Sequence, residues 1–334
     1  MDERKVTIRD IAEELGLSTA TVSNVLHGKT GKVSEATARR VLELLEERRY
    51  LPGMAELLLA QNGAKIIGVV VNNHEKYERH TLEDAFIASA LNALSTEAAA
   101  RGLQLMIKQA GRLEEIPRFS TMWNLEGLII IGFCAQDYAS LRSRVSLPFV
   151  VYDSCGATAE RVCCINADDR QGGALVGEYF RQGGHRHVLC VADNDTCMDQ
   201  ARWEGFLDGF GQEGAGRLLV PMQREARMDF YAENLARLTA CTAIFAVSDH
   251  YAAELIHFLN SRRLSVPGDI SVAGFDDTPV CQIVYPSLTS VRQDTAQRAR
   301  LALDKLRQLR EGQDVEPSVT LPVTLIRRAS SRSL

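Results

Sequence analysis

The chain has 334 residues, of which 46% are hydrophobic and 24% are charged, and its formal net charge is −5. This length suits two or three packed domains, and the mildly acidic balance gives no general indication of nucleic-acid binding. No run of eighteen apolar residues occurs, which excludes a membrane-spanning helix. The charged start, MDERKVTIRD, is unlike a signal peptide, so we expect a cytoplasmic protein.

The first fifty residues predict three short amphipathic helices. In the first helix the apolar residues recur at helical spacing, at Ile8, Ile11, Ala12 and Leu15. Thr7 precedes this helix and Asp10 lies in its first turn, which is the spacing of an approximate capping box. Gly16 is the predicted end of the helix. The third helix is expected to begin after Ser34. Its inward positions are Ala38, Val41, Leu42 and Leu45.

The second helix starts only three residues after the first, which is the spacing of a helix-turn-helix. Ser18 is its predicted N-cap, Gly28 its predicted end, and Val22, Val25 and Leu26 its inward side. Small hydroxyl, amide and methyl groups on its outward side can approach base edges in the major groove. These outward residues are Thr19, Ala20, Thr21, Ser23 and Asn24. Free N–H groups at its N-terminus can hold a phosphate without a lysine. We interpret it as a recognition helix; the alternative is an ordinary polar helix of a small bundle.

The segments VTIRDIAEELGLSTATVSNVLHGK and VSEATARRVLELLEERRYLP resemble the DNA-binding headpiece of the LacI (lactose/purine repressor) family, nearly continuously over residues 6–52. The resemblance implies a regulator that binds double-stranded operator DNA as a homodimer. The DNA-binding residues that it implies are Thr7, Ser18, Thr19, Ala20, Thr21, Ser23, Asn24, His27, Tyr50 and Leu59. Asn24 stands where some relatives have arginine. Because asparagine pairs best with adenine and arginine with guanine, we expect a shifted operator preference.

Residues 50–63 are the predicted hinge, beginning YLPGMAELLLAQ. The resemblance implies a short helix here, whose Leu59 wedges into the minor groove and bends the duplex. Gly53 and Glu56 depart from the family pattern. Gly53 removes a helix N-cap, and the Glu56 carboxylate would face a strongly negative groove, so we expect Glu56 to weaken operator binding. The alternative role of the hinge leucines is packing between domains: Leu57, Leu58 and Leu59.

From Ile66 onward short apolar runs alternate with helical patterns, which predicts parallel sheets covered on both faces. The apolar runs are IIGVVV, LQLMI, GLIIIG, PFVVYD, HVLCVA, TAIFAVSD and ISVAGFDD, with a last strand-like segment at VTLPVTLIRR. The helical patterns cover 84–101, 169–183, 200–213, 250–262 and 292–311. The predicted fold is therefore an all-α helix-turn-helix headpiece followed by an α/β core of two doubly wound parallel-sheet subdomains.

Several of these strands end in polar residues, and ligands of open α/β sheets bind beyond the carboxyl ends of the strands. The strand-end residues are Asn72-Asn73, Asp153, Ser248-Asp249 and Asp276-Asp277. They predict a small polar ligand between two lobes. For Asp249 the alternative is a cap on the following helix.

The segments GHRHVLCVAD, ARWEGF, AIFAVSDHYA, VPGDISVAGFDDTP and PSLTSVRQD resemble the effector-binding core of the same family, which is similar to periplasmic sugar-binding proteins. This implies a carbohydrate-like effector held by Asn72, Asp153, Arg202, Ser248, Asp249, Asp276 and Gln293. Ser248 and Asp169 replace asparagines that are common in the family, and QREARMDF has no obvious aromatic to stack on a sugar. Arg224 and Arg227 lie nearby, so a sugar acid or a sugar phosphate stays an alternative ligand.

We predict a helix-turn-helix domain over 1–49, a hinge over 50–63 and a core over 64–334. Within the core, subdomain 1 is about 64–161 and 292–319, and subdomain 2 is about 162–291 and 320–330. The leading interpretation is a repressor controlled by an effector. A transport binding protein is the second candidate, but it would have a signal peptide and no headpiece. An enzyme is the third, but no GxSxG, HExxH or P-loop occurs.

Three further patterns narrow the interpretation. No CxxC pair or zinc spacing occurs among the eight cysteines, so we expect reduced structural thiols, no metal and no cofactor. A GxGxxG pattern at Gly209, Gly211 and Gly214 closes a helix instead of following a strand, so it is not a dinucleotide site. No heptad tail follows the last strand-like segment, so we expect a dimer and not a tail-linked tetramer.

Overall fold

The computed structural model describes residues 6–26, 30–31, 33–48, 50, 65–133, 135–152 and 161–334. The chain divides into two compact units, 1–64 and 65–334. No helix among the described residues is both long and apolar enough to cross a bilayer.

The described residues of the first unit form three helices, in the order and places that the sequence predicts. They are α1 (Ile8–Leu15), α2 (Thr19–Leu26) and α3 (Glu35–Glu47). The capping box is confirmed, because the Thr7 hydroxyl accepts a hydrogen bond from the Asp10 N–H and the Asp10 carboxylate accepts one from the Thr7 N–H. Gly16 ends α1 in the left-handed region at φ 67°, a conformation that glycine adopts without steric cost. Gly28, the predicted end of α2, lies outside the described residues.

The core of this unit is formed where one apolar stripe from each helix meets the other two. The buried residues are Ile11, Ala12, Val22, Val25, Val41, Leu44, Leu45 and Tyr50. The predicted inward position of Leu42 is wrong, since 52% of this residue is exposed and Leu44 is buried in its place. Both leucines are spaced correctly for a helical stripe through Val41 and Leu45, so spacing alone cannot choose between them.

The second unit contains two six-stranded sheets, each the centre of one lobe. The first-lobe sheet is entirely parallel, with strand order β11-β5-β4-β3-β1-β2. Its strands are β1 (Ile66–Asn72), β2 (Gln104–Ala110), β3 (Gly127–Ile131), β4 (Phe149–Tyr152), β5 (Val162–Ala167) and β11 (Ser318–Leu321). Its helices are α4 (Ala85–Ala100), α5 (Glu115–Met122), α6 (Ala135–Arg144) and α13 (Thr295–Arg310).

The second-lobe sheet has the order β12-β10-β9-β8-β6-β7, and only β12 runs antiparallel to its neighbour. Its strands are β6 (Val188–Ala192), β7 (Ala215–Leu219), β8 (Ala243–Ala246), β9 (Ser271–Asp276), β10 (Thr289–Arg292) and β12 (Thr324–Ile326). Its helices are α7 (Asp169–Gln182), α8 (Cys197–Phe210), α9 (Arg224–Glu233), α10 (Leu235–Thr239), α11 (Asp249–Ser261) and α12 (Val280–Ile283). The predicted fold class is confirmed, including both doubly wound sheets.

The predicted boundaries between the lobes differ from the structure at two places. The first lobe extends to Ala167 and not to about 161, because β5 pairs with β4 and β11 in the first sheet. The second difference lies in the strand-like segment VTLPVTLIRR, where the predicted boundary falls at about 319–320. The structure has the boundary after Leu321, because the segment forms β11 and β12, which belong to different sheets. Pro322 lies between them, and a proline has no N–H with which to continue a strand ladder. The chain therefore passes between the lobes three times.

Helices α7 and α8 pack with their backbones in contact, and glycines make this possible. A Cβ atom on Gly205 would lie 1.8 Å from the carbonyl oxygen of Arg170, and one on Gly173 would lie 2.0 Å from that of Arg202. Cβ atoms on Gly177 and Gly209 would lie 2.4 and 2.1 Å from carbonyl oxygens of the facing helix. Gly209 of the GxGxxG pattern thus serves helix packing, and no side chain can be added at this contact without separating the two helices.

Replacing Gly205 with alanine should lower the free energy of unfolding by about 1–3 kcal/mol or more, because the new methyl group forces α7 and α8 apart. Urea unfolding followed by the fluorescence of Trp203, which lies in α8, measures this change. The matched control is Gly111→Ala, where a Cβ atom meets nothing within 4 Å. Equal unfolding midpoints for the two variants would contradict the packing assignment.

Candidate functional site

The first functional surface lies at the N-termini of α1 and α2. Thr19, Ala20 and Asn24 are exposed on α2, while Thr21 and Ser23 are half-buried. An open groove of about 490 Å³ separates this surface from the start of α1. Its lining residues are Thr7, Ile8, Arg9, Thr19, Ala20 and Ser23. The exposed small side chains leave this face of α2 free of bulk, which is what close approach to base edges requires.

Three predicted DNA-binding residues also hold the headpiece together. The Thr7 hydroxyl donates to the Asp10 carboxylate at 2.7 Å, and the Ser18 hydroxyl accepts from the Thr21 N–H at 3.1 Å. Tyr50 is 9% exposed and belongs to the headpiece core. Sequence reasoning missed Arg9, whose side chain is 80% exposed at the groove and forms an ion pair with Glu13 on its own helix. His27 and Leu59 lie outside the described residues.

The second functional surface lies at the carboxyl ends of the second-lobe strands, and Arg202 of α8 is at its centre. Its Nε donates to Asp169 Oδ1 at 2.8 Å, one Nη donates to the carbonyl of Val247 at 2.6 Å, and the guanidinium lies 3.7 Å from the ring centroid of Phe275. The other Nη is 3.9 Å from Asp276 Oδ1. Burial lowers the pKa of Arg202, but the charges of Asp169 and Asp276 raise it further, so the pKa lies above its ordinary range.

A hydrogen-bonded relay connects this surface to the first lobe. Gln293 donates to Asp276 at 2.7 Å, and Arg298 of α13 donates to Gln293 at 2.6 Å. Arg298 also donates to the carbonyl of Ile165 in β5 at 2.9 Å. Asp276 has φ 108°, a backbone conformation that costs free energy in a non-glycine residue. Asp276 and Gln293 therefore lie where the strand ends of the second lobe meet the connection between the lobes.

The hydrogen bonds of the remaining predicted effector residues connect elements within one lobe. Asp249 is 1% exposed, and its carboxylate accepts from the Thr278 N–H at 2.7 Å and from the Ser290 hydroxyl at 2.6 Å. Burial raises the pKa of Asp249 to about 6. These contacts favour a structural role for Asp249, although the helix cap itself is Ser248, which accepts from the Tyr251 N–H.

Asn72 ends β1 in the first lobe and donates to the carbonyl of Gly132 at 2.8 Å, which joins the ends of two first-lobe strands. Asp153 lies outside the described residues.

A pair of carboxyl groups that sequence reasoning missed lies beside this surface. Asn194 donates one hydrogen bond to Asp193 at 2.6 Å and one to Asp199 at 2.9 Å, and the Tyr251 hydroxyl donates to Asp193 at 2.7 Å. Burial and the Asp193 charge raise the pKa of Asp199 to about 7. Burial opposes ionisation of Asp193 as well, but Lys76 and these hydrogen bonds lower its pKa to about 2. Asp193 ends the apolar run HVLCVA, so the strand-end rule could have found it.

One of the arginines that suggested an anionic ligand, Arg227, is already neutralised. Arg227 is 1% exposed, and its guanidinium forms two hydrogen bonds to Glu254, at 2.5 and 3.0 Å. It also donates to the carbonyls of Pro221 and Met222. Arg227 is thus part of the second-lobe core, and the expectation that it adds positive charge to the ligand surface is wrong.

Comparison with known families matches both units. The model described as "Bacterial regulatory proteins, lacI family" matches residues 7–53, and the one described as "Periplasmic binding protein-like domain" matches residues 178–331. The first unit therefore carries the helix-turn-helix domain of the LacI family of bacterial regulatory proteins, and the second carries a periplasmic-binding-protein-like domain. This combination supports a DNA-binding transcriptional regulator over a transport binding protein.

Named relatives extend over nearly the whole chain. The HTH-type transcriptional repressor PurR of Pasteurella multocida is 27% identical over 344 residues, covering 98% of this chain and 99% of the relative. The HTH-type transcriptional regulator GalR of Escherichia coli is 28% identical, covering 97% of this chain and 95% of the relative.

Solved structures share the fold of this chain. A Lac repressor dimer bound to operator and the anti-inducer ONPF has a TM-score of 0.81 and 23% identity, and the match covers 98% of this chain and all of that one. A complex of the regulator CelR with cellobiose has a TM-score of 0.70 and 22% identity, with 98% and 100% coverage. A LacI-family regulator of Enterococcus faecium with bound ribose has a TM-score of 0.69 and 22% identity, with 80% and 99% coverage.

The carboxyl pair makes stability depend on pH. The pKa of Asp199 is raised from 3.8 to about 7 on folding, so the folded protein binds this proton more tightly, and stability falls as pH rises through this interval. Asp199→Asn keeps the acceptor for Asn194 and removes the titration. The melting temperature of the variant should therefore exceed that of the wild type most at pH 8 and least at pH 5. A constant difference between the two proteins across this range would contradict the assignment.

Proposed function

We propose that this chain is a transcriptional repressor in which α2 reads the operator and a small neutral polyhydroxyl effector, bound between the two lobes, controls operator affinity. One observation carries the proposal. The helix-turn-helix with its exposed, uncharged α2 surface precedes a two-lobed core whose strand ends gather Arg202, Asp169 and Asp276. The relatives named above are repressors and regulators, which supports regulation over catalysis. Such a protein acts where bacterial DNA lies, so we place it in the cytoplasm.

In the proposed complex α2 lies in the major groove. Thr19, Ala20 and Asn24 are exposed at its start and along its outer face, so they are the side chains placed to contact bases. N–H groups in the first turn of α2 and the exposed guanidinium of Arg9 would contact backbone phosphates, which set register without reading sequence. This division explains how a headpiece without excess positive charge can still select a site.

The charges of the second-lobe surface favour a neutral effector. Arg202 faces two carboxylates, those of Asp169 and Asp276. An anionic ligand would be repelled by these groups, whereas sugar hydroxyls can donate to carboxylates and accept from the guanidinium. The named structures with cellobiose and with ribose support a saccharide. We therefore propose a neutral saccharide over the sugar acid or phosphate that the arginines had suggested.

A homodimer is the proposed assembly. Ile283, the last residue of α12, is 81% exposed, and Tyr285, just after this helix, is 88% exposed. Burying such side chains against a second copy of the chain is favourable, and a two-fold pair presents two headpieces to two half-sites of a palindromic operator. The Lac repressor structure described as a dimer on its operator supports this arrangement.

Asn24 sets the predicted base preference. Replacing Asn24 with arginine should change the preferred base at one position of each half-site from adenine to guanine, because the guanidinium pairs with guanine O6 and N7. Selection from a random duplex pool, followed by sequencing, measures the preference. Glu46→Gln, on the exposed side of α3, is the control and should select the wild-type site. Identical selected sequences for all three proteins would remove Asn24 from base recognition.

The effector class is tested by thermal shift with separate panels of neutral sugars, uronates and sugar phosphates. Neutral sugars should raise the melting temperature, by an amount equivalent to about 2.7 kcal/mol at a hundredfold excess over Kd. Arg202→Lys should abolish most of this shift, since an ammonium cannot reproduce the planar fork of donors. Stabilisation by the acidic panels alone would overturn the proposed ligand chemistry.

A further inference from the structure

The segment that follows β1 crosses from the first lobe to the second at two points. Lys76 lies in a 3-10 helix (Glu75–Tyr77), and its Nζ is 3.9 Å from Asp193 Oδ2 at the end of β6. Two residues later Glu78 accepts a hydrogen bond of 2.7 Å from the backbone N–H of Arg224, the first residue of α9. One short first-lobe segment therefore contacts two separate second-lobe elements.

Lys76 interacts with Asp193 through its charge, because a separation of 3.9 Å is too long for a hydrogen bond. The side chain of Asp193 is 1% exposed, and its oxygens already accept from Asn194 and Tyr251. The Lys76 side chain is 35% exposed, and among the described residues its ammonium makes no hydrogen bond. Burial lowers the pKa of Lys76, but the neighbouring acidic groups raise it further, so the ammonium stays charged. Separating the lobes would leave Asp193 ionised in a poorly hydrated place without its counter-charge.

Glu78 of the first lobe accepts a hydrogen bond at the N-terminus of α9, a helix of the second lobe. Gln223 is the N-cap residue of α9, and its side chain forms no capping hydrogen bond. The Glu78 carboxylate supplies an acceptor to the first turn of α9 and places negative charge at the positive end of the helix. The Glu78 backbone is held in a left-handed conformation at φ 49°, next to Arg79 at φ 72°, so the turn itself aims the carboxylate across the cleft.

We propose that residues 74–79 form an interlobe latch, in which Lys76 and Glu78 are positioning residues that stabilise the described arrangement of the two lobes. The latch lies at the same strand ends as the proposed effector site, and its role in effector entry rests on the proposed function. Opening the cleft breaks both contacts at once, so the latch determines the fraction of molecules in which the lobes are separated. The latch itself needs neither DNA nor effector.

The test measures the distance between the lobes directly, in the full chain without added ligand. Spin labels on noncanonical amino acids replace Arg118 on α5 and Ala236 on α10, which are exposed residues in different lobes. Labelled chains are diluted with unlabelled ones so that each dimer carries one pair. Pulsed electron resonance then reports the populations of short and long distances.

The latch variants are Lys76→Met, Glu78→Gln and the pair together, and Lys76→Arg is the rescue. Each single variant should raise the long-distance population several-fold over wild type and the double variant should raise it more, while Lys76→Arg restores the wild-type distribution. High salt should shift the wild type toward long distances and shift the double variant less, because salt screens charge contacts. The matched control is Glu75→Gln, an exposed acid of the same 3-10 helix, which should leave the distribution unchanged.

Two results would overturn the latch. One is a double variant whose distance distribution superimposes on the wild type at both salt concentrations. The other is Glu75→Gln opening the lobes as much as Lys76→Met does. The salt titration of the wild type keeps the proposal testable even if a variant folds poorly. Since no operator or sugar enters the measurement, failure here is distinct from failure of the proposed function.

Discussion

The backbone contact between α7 and α8 is the constraint on which the second lobe and its ligand surface depend. Glycines at Gly173 and Gly205 let the two helices approach until a carbonyl of each fills the space of a missing side chain. This approach brings Arg202 of α8 within 2.8 Å of Asp169, the first residue of α7. A buried guanidinium needs paired and hydrogen-bonded surroundings. The packing of α7 against α8 is therefore required for Arg202 and Asp169 to form the proposed effector site.

The same region is where the chain passes between the lobes. Asp169 begins α7 directly after the passage from β5, and Gln293 follows β10 at the next passage. The relay from Asp276 through Gln293 to Arg298 ends on the first-lobe strand β5. A ligand at Asp276 thus contacts groups whose positions depend on the relation between the lobes. Couplings between sites are typically about 1–3 kcal/mol, which suits a regulator whose operator occupancy is already marginal.

Local chemistry made much of this molecule predictable from its sequence. The Thr7–Asp10 capping box, the Gly16 helix end and the strand runs from Ile66 onward depend on near neighbours, and all appear in the structure. The sequence prediction missed strand β5, which pairs with the remote strand β11 as well as with the nearby β4. It also missed β7, whose apolar residues show no clear alternation. Leu42 and Leu44 fit the helical stripe equally well, so only tertiary contacts could separate them.

The ligand site stays a prediction, although the structure shows which of its residues lie at strand ends. Asp276 ends β9, as its sequence pattern indicated, whereas the burial of Arg227 was missed because Glu254, its partner, lies 27 residues away. The interlobe contacts of Lys76 and Glu78 were missed for a similar reason, because their partners in the second lobe lie more than a hundred residues later in the chain.

The central claim is that the lobed core and the headpiece are energetically coupled. Its most direct test is the affinity of the intact dimer for its selected genomic operator, measured by fluorescence anisotropy with and without a saturating concentration of the sugar that gives the largest thermal shift. The account predicts a change of roughly 5–150-fold in Kd, with random duplex bound much more weakly throughout. An operator Kd that is the same with and without the sugar, or no preference for any fragment over random duplex, would contradict it.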